Sequence, residues 1–125
     1  MTNKTKNILV VDDDPAICKL VAEVVTAPEF HIYTAKDGVE ALRLIDDSST
    51  IIDLLLVDVV MPRLNGPELV RVVSNYHPEI KIIFMSGYPN EFLDRYGIVA
   101  GKIRYIQKPF TPAVLVQAVR EELSK

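Results

Sequence analysis

A chain of 125 residues with 49% hydrophobic side chains can bury one good core, so a single domain is expected over residues 1–125, with no effector domain attached. No apolar run approaches the roughly 20 residues of a membrane-spanning helix, and a net charge of −3 gives no support for direct nucleic-acid binding. The lone cysteine, Cys18, excludes an internal disulfide framework and fits a reducing, cytoplasmic compartment. Residues 1–7 are polar with no signal-type apolar stretch behind them, so export is not expected.

Apolar runs of strand length alternate with helix-period segments. The first, Ile8 to Val11, stops at Asp12-Asp13-Asp14. Asp14 and Pro15 then supply an N-cap and a proline at the first helical position, with Ile17, Leu20, Val21 and Val24 on one face and Cys18 read as a packed thiol. Pro28 ends that helix, and Phe30 to Thr34 reads as a shorter strand. Asp37 and Glu40 have capping-box spacing ahead of Ala41, Leu42 and Ile45.

The third strand, Leu54 to Val57, ends on Asp58. Asn65 and Glu68 again have capping-box spacing, before a helix expected to bury Leu69, Val72, Val73 and Tyr76 and to close at His77-Pro78. A fourth strand, Ile80 to Met85, stops at Ser86-Gly87, and residues 89–96 carry the weakest helical pattern of the chain, expected as the most mobile helix. A fifth, Ile103 to Ile106, leads to Gln107-Lys108-Pro109, and Thr111-Pro112 opens a final helix that packs Leu115, Val116, Val119 and Leu123 inward. Near-continuous Val/Ile/Leu strands indicate burial on both faces. The expected fold is a doubly wound α/β sheet of five parallel strands.

In such sheets ligands bind beyond the carboxyl ends of the strands, where strand order reverses. If the strands lie in the flavodoxin-like order 2-1-3-4-5, that point falls between the first and third strands, and Asp12, Asp13 and Asp58 would converge there. Three neighbouring carboxylates repel one another unless a cation intervenes, and hard oxygen ligands without clustered His or Cys suit Mg²⁺ rather than zinc. Lys108 adds a movable positive charge and Ser86 a hydroxyl. A carboxylate nucleophile, a metal, a lysine and a hydroxyl together suit phosphoryl transfer onto an aspartate oxygen.

Ile8-Leu9-Val10-Val11-Asp12-Asp13-Asp14-Pro15, Asp58 with Met61-Pro62 and Gly66, Met85-Ser86-Gly87, and Tyr105-Ile106-Gln107-Lys108-Pro109-Phe110 resemble the receiver domain of two-component response regulators, in order and across essentially the whole chain. The resemblance implies that Asp58 accepts a phosphoryl group from a sensor histidine kinase or phosphotransfer protein. It also implies that Asp13, Asp58 and the backbone carbonyl of Val60 ligate Mg²⁺, with Asp12 acting through water. Lys108 and Ser86 would contact the phosphoryl group, Tyr105 would be the aromatic switch, and the Lys108–Pro109 peptide would be cis. The readout would be a changed face of fourth helix, fifth strand and fifth helix that binds a downstream protein; homodimerisation on phosphorylation stays open.

The chain departs from the family pattern at Ser86, where many receivers have Thr, and at Lys102 after Gly101, where Ala is usual. Apolar Val60 and bulky Tyr88 stand where the family tunes the approach of attacking water. The runs around Ser86 and Lys108 resemble receivers fused to sensor kinases more than those fused to DNA-binding domains. Competing readings are a pseudo-receiver that binds partners without phosphorylation and an aspartyl-phosphate phosphatase. The latter wants a second acid two residues after the nucleophile, where Val60 stands. Beyond assisting its own phosphorylation and dephosphorylation, no enzymatic activity is expected. His31, His77 and the scattered arginines read as structural or solvated.

Overall fold

Valine, leucine and isoleucine runs become strands here because helices cover both sides of them. The computed structural model describes residues 5–87 and 103–125. The strands are β1 (Lys6–Val11), β2 (Phe30–Ala35), β3 (Leu54–Asp58), β4 (Lys81–Ser86) and β5 (Arg104–Gln107). They pair in parallel in the order β2-β1-β3-β4-β5, the expected doubly wound topology. The described helices are α1 (Pro15–Val24), α2 (Gly38–Asp46), α3 (Gly66–Tyr76) and α4 (Pro112–Leu123). The helix expected over 89–96, together with Tyr88 and Lys102, lies outside the described residues.

Alternation along the strands divides the core in two. Leu9, Val11, Leu55, Val57, Ile82 and Phe84 face Ala41 and Ile45 of α2 and Leu69, Val70 and Val73 of α3. Ile8, Val10, Leu54, Leu56, Ile83, Met85 and Ile106 face Val21 of α1 and Leu115, Ala118 and Val119 of α4. Because successive side chains in a strand point to opposite faces, both halves draw on the same three central strands.

The ends of the helices are set by local chemistry. Asp14 caps α1 by accepting from the Ala16 N–H at 2.9 Å. That helix stops at Val24, with Val25 as C-cap, before Pro28 is reached. Asn65 and Glu68 form the reciprocal capping box expected of α3, and Thr111 caps α4. At α2 the box is altered: Asp37 accepts from the Glu40 N–H, but the Glu40 carboxylate reaches one residue further back, to the Lys36 N–H at 2.8 Å.

Three expected inward positions face outward. Leu20 is 38% exposed, Val72 36% and Tyr76 77%. In α3 the buried set is Gly66, Pro67, Leu69, Val70 and Val73. The helix is turned about its axis by its first residue, which lies directly against the backbone of Asp58. Cys18, expected as a packed thiol, is half-buried against the α1–α4 half of the core near the end of β1.

Candidate functional site

Register brings the chemistry to one rim. Val11 pairs with Val57, Asp58 with Met85 and Ser86 with Gln107, so Asp12, Asp58, Ser86 and Lys108 all fall at the carboxyl ends of neighbouring strands. Alternation sorts them further. Asp58 continues the series Leu54, Leu56 that faces α1 and α4, and Asp12 and Lys108 continue Ile8, Val10 and Ile106 of the same face. Ser86 and Tyr105 follow Phe84 on the opposite series.

The acids sit close together. Asp12, Asp13 and Asp58 each offer a carboxylate oxygen, and these oxygens all lie within 4.8 Å of one another. Asp12 is 1% exposed and Asp58 8%, whereas Asp13 is open to solvent. Asp12 is held firmly: its N–H donates to the Ala35 carbonyl at 3.1 Å, and its carboxylate accepts from the Asp14 N–H at 2.9 Å. Lys108 Nζ lies 2.7 Å from Asp12 Oδ2 and 3.4 Å from Asp58 Oδ2. The lysine is thus bonded to one acid and leans toward the other.

Burial, and then the charge of Asp12, push the Asp58 carboxyl up to about 6, against the opposing pull of Lys108 and of the Val60 N–H. Burial works against the Lys108 charge, but the hydrogen bond to Asp12 and the charge of Asp58 outweigh it and raise the ammonium above its usual value. One ammonium facing three carboxylates leaves the site net negative. Two of those acids are buried, so a divalent cation with hard oxygen preference fits the donor set, and the cluster could hold such an ion.

The opposite series carries Ser86 and Tyr105. Ser86 is 1% exposed, and its backbone carbonyl accepts from the Lys108 N–H at 2.7 Å and from the Tyr105 hydroxyl at 3.3 Å. The Lys108–Pro109 peptide is cis. Burial raises the Tyr105 phenol, and its bond at Ser86 partly offsets that. Val60 is 40% exposed beside the acids, and its N–H approaches Asp58 Oδ1 at 3.4 Å.

Two features of the site have no counterpart in the sequence pattern. The Cys18 thiol donates to the Asp12 carbonyl at 3.6 Å, is raised mainly by burial, and lines a cleft of about 530 Å³ between α1 and the end of β2 that also borders Asp12 and Asp13. Gly66 is visible in the sequence only as part of a motif. A Cβ there would stand 2.3 Å from the Asp58 carbonyl oxygen, so α3 can begin against β3 only with glycine. Its N–H donates to the Val59 carbonyl at 3.0 Å. A close backbone approach of this kind has no signature beyond the glycine itself.

A doubly wound sheet with paired acids after β1, an aspartate ending β3 and a lysine after β5, all at one rim, defines a class of aspartate-centred α/β domains. A family model described as the response regulator receiver domain matches residues 8–120. The chain belongs to that family. Among curated proteins it is 33% identical over 118 residues to the sensor kinase CckA of Brucella abortus, covering 94% of this chain and 12% of that protein. It is 38% identical over 119 residues to the transcriptional regulatory protein CpxR of Escherichia coli, covering 94% of this chain and 49% of that one. The chain therefore spans about half the length of one relative and far less of the other, and both kinase-fused and regulator-fused receivers are represented.

Solved structures agree with the fold. The receiver domain of an HD domain-containing protein from Pseudomonas fluorescens superposes with a TM-score of 0.86 at 27% identity, covering 97% of this chain and 96% of that one. A CheY-like receiver domain protein from Methanospirillum hungatei gives 0.85 at 29% identity, covering 97% and 95%.

Proposed function

We propose that this chain is a phosphorylatable receiver, in which Asp58 takes a phosphoryl group from a histidine of a partner kinase or phosphotransfer protein and a partner-binding face changes in response. The observation that carries the reading is the buried Asp58 carboxylate beside Asp12 and Asp13, with Lys108 poised between two acids. Membership of the receiver family supports it.

In the proposed transfer an Asp58 oxygen attacks phosphorus, the P–N bond to the donor imidazole breaks with its electron pair going to nitrogen, and an acyl phosphate forms. Hydrolysis by water later returns carboxylate and inorganic phosphate. Asp13, Asp58 and the Val60 carbonyl would hold Mg²⁺, with Asp12 through water. When bound, the ion neutralises charge on the phosphoryl oxygens. Asp12 anchors Lys108 in the resting state, so the ammonium needs only to exchange a carboxylate for a phosphoryl oxygen. Ser86 donates its hydroxyl to another phosphoryl oxygen.

Phosphorylation adds a charge of about −1.5 to −2 and favours the conformer in which Ser86 moves toward it and Tyr105 turns into the vacated space. The Tyr105 hydroxyl already rests on the Ser86 carbonyl, which gives the two residues a direct link. The responding face comprises β5, α4 and the segment 89–96. The domain acts by switching rather than by turnover, and its partners and the single unpaired cysteine favour a cytoplasmic setting.

The test is intact mass spectrometry after incubation with Mg²⁺ and acetyl phosphate, since the absence of Trp removes quenching as a readout. One added phosphoryl group is expected, abolished in Asp58→Asn and without Mg²⁺. No addition from acetyl phosphate or from a competent histidine-kinase donor would overturn the switch and leave a constitutive binding module.

A further inference from the structure

The loop between β3 and α3 carries Val60 and sets the approach to Asp58, and it is fixed at several points. Met61 is buried in the core between α2 and α3. Gly66 closes the loop through its bond to the Val59 carbonyl and its contact with the Asp58 backbone. Arg63 takes a left-handed φ of 66°, unusual for a residue with a long side chain. Leu64, on the same face of the sheet as α2 and α3, packs its side chain over Gly38 at the start of α2.

The contact is tight. A Cβ on Gly38 would stand 2.6 Å from Leu64 Cδ2, 3.0 Å from Cγ and 3.1 Å from Cβ. Gly38 is the buried first residue of α2, and helix propensity on its own favours alanine there. A side chain at position 38 would therefore press on Leu64, and Leu64 belongs to the loop of the acidic site. Among these loop contacts, Leu64 on Gly38 ties the loop to the start of a helix in a different β/α unit.

We propose that Leu64 and Gly38 form a latch that positions the β3–α3 loop, and with it Asp58 and the Val60 carbonyl, for cation binding. Leu64 is a positioning residue and Gly38 its socket. Filling the socket displaces the Leu64 side chain, and because the close approach includes Leu64 Cγ and Cβ at 3.0 and 3.1 Å as well as Cδ2, part of the push passes to the loop backbone. The inference rests on the receiver reading of the site. Its mechanical part is measurable without metal.

The experiment compares wild type with Gly38→Ala, Leu64→Ala and the double variant, with Ile45→Val as a control that trims α2 in the core away from the loop. Mg²⁺ affinity is read by titration calorimetry, and amide hydrogen exchange of Val60 and Gly66 is read in Mg²⁺-free buffer. Gly38→Ala is expected to weaken Mg²⁺ binding about tenfold, in the range seen when groups supporting metal ligands are disturbed, and to speed exchange at Gly66. The double variant regains most of both, since alanine at 64 removes Cγ and Cδ2 from the clash. Leu64→Ala alone loosens the loop in the same direction and stands in if Gly38→Ala does not fold.

A loss of stability shared with Ile45→Val, with Mg²⁺ affinity and Gly66 exchange unchanged in all folded variants, overturns the latch. If wild type neither binds Mg²⁺ nor accepts a phosphoryl group, the receiver reading fails instead, and the metal-free exchange still decides whether position 38 controls the loop.

Discussion

Strands β3 and β5 carry the two halves of the site and are built differently. Every residue of β3 is buried, between β1 and β4 and under helices on both faces. In β5, at the edge of the sheet, Ile106 is buried while Arg104 and Tyr105 are partly open and Gln107 is exposed. The acid is thus mounted on the most constrained strand, and the lysine and tyrosine on or beside one of the least. A group that must stay aligned with the other two carboxylates belongs on the first. On the proposed reading, groups that exchange partners after phosphorylation belong on the second.

The largest expected difference is in packing. Leu56 is fully buried in the α1–α4 half of the core, and Leu56→Ala should cost about 4 kcal/mol in urea denaturation. That is a large part of the stability of an ordinary domain. A loss below about 1 kcal/mol would mean that the centre of the sheet is more yielding than its burial implies, and the contrast with β5 would collapse.

How much of this could be read from residues alone divides along the same line. Strand β3 was legible because an unbroken apolar run of strand length that ends in one acid fits little besides a buried central strand, and the convergence of Asp12, Asp13 and Asp58 followed from topology. The pairing of Lys108 with Asp12 across 96 positions of sequence separation has no signature in the pattern. The rotation of α3 was not legible. Its valines at 70, 72 and 73 admit two overlapping inward faces, and the choice is made by Gly66 against Asp58, a contact between backbones. Cys18 packs against the α1–α4 half of the core as expected, but its bond to a carbonyl at a strand end is something apolar periodicity does not register. The segment 89–96, part of the expected partner face, lies outside the described residues, so β5 and α4 alone speak for that face. There Arg104 meets Glu121 at 2.7 Å, joining strand to helix.

Next in size is the electrostatic load on β3. The Asp58 carboxyl stands at about 6 in the folded protein against an ordinary 3.8, so between those values the folded state holds more protons than the unfolded one. Stability in Mg²⁺-free buffer therefore falls as pH rises through this window. The penalty is absent below it and complete above it, reaching at most about 3 kcal/mol. The difference between wild type and Asp58→Asn isolates this contribution from other acids, and the variant should be the more stable above pH 6. Saturating Mg²⁺ should erase the advantage, because the ion binds the ionised carboxylates. Equal stability of the two proteins at all pH values would show that Lys108 already neutralises Asp58.

The smallest effect should fall on β5. Tyr105→Phe removes a hydroxyl whose bond to the Ser86 carbonyl is long, at 3.3 Å, and that carbonyl keeps its 2.7 Å bond from the Lys108 N–H. No acceptor is left buried and unsatisfied there, so urea denaturation should register less than about 1 kcal/mol. Phosphorylation of Asp58 from acetyl phosphate should proceed at the wild-type rate, since Tyr105 belongs to the strand face opposite the one that Asp58 and Lys108 continue. A loss of more than about 2 kcal/mol would place Tyr105 in the same cooperative unit as β3. In that case the tyrosine would be a structural strut, and movement at this edge would have to be sought in Lys108 and the α4 contact through Arg104 instead.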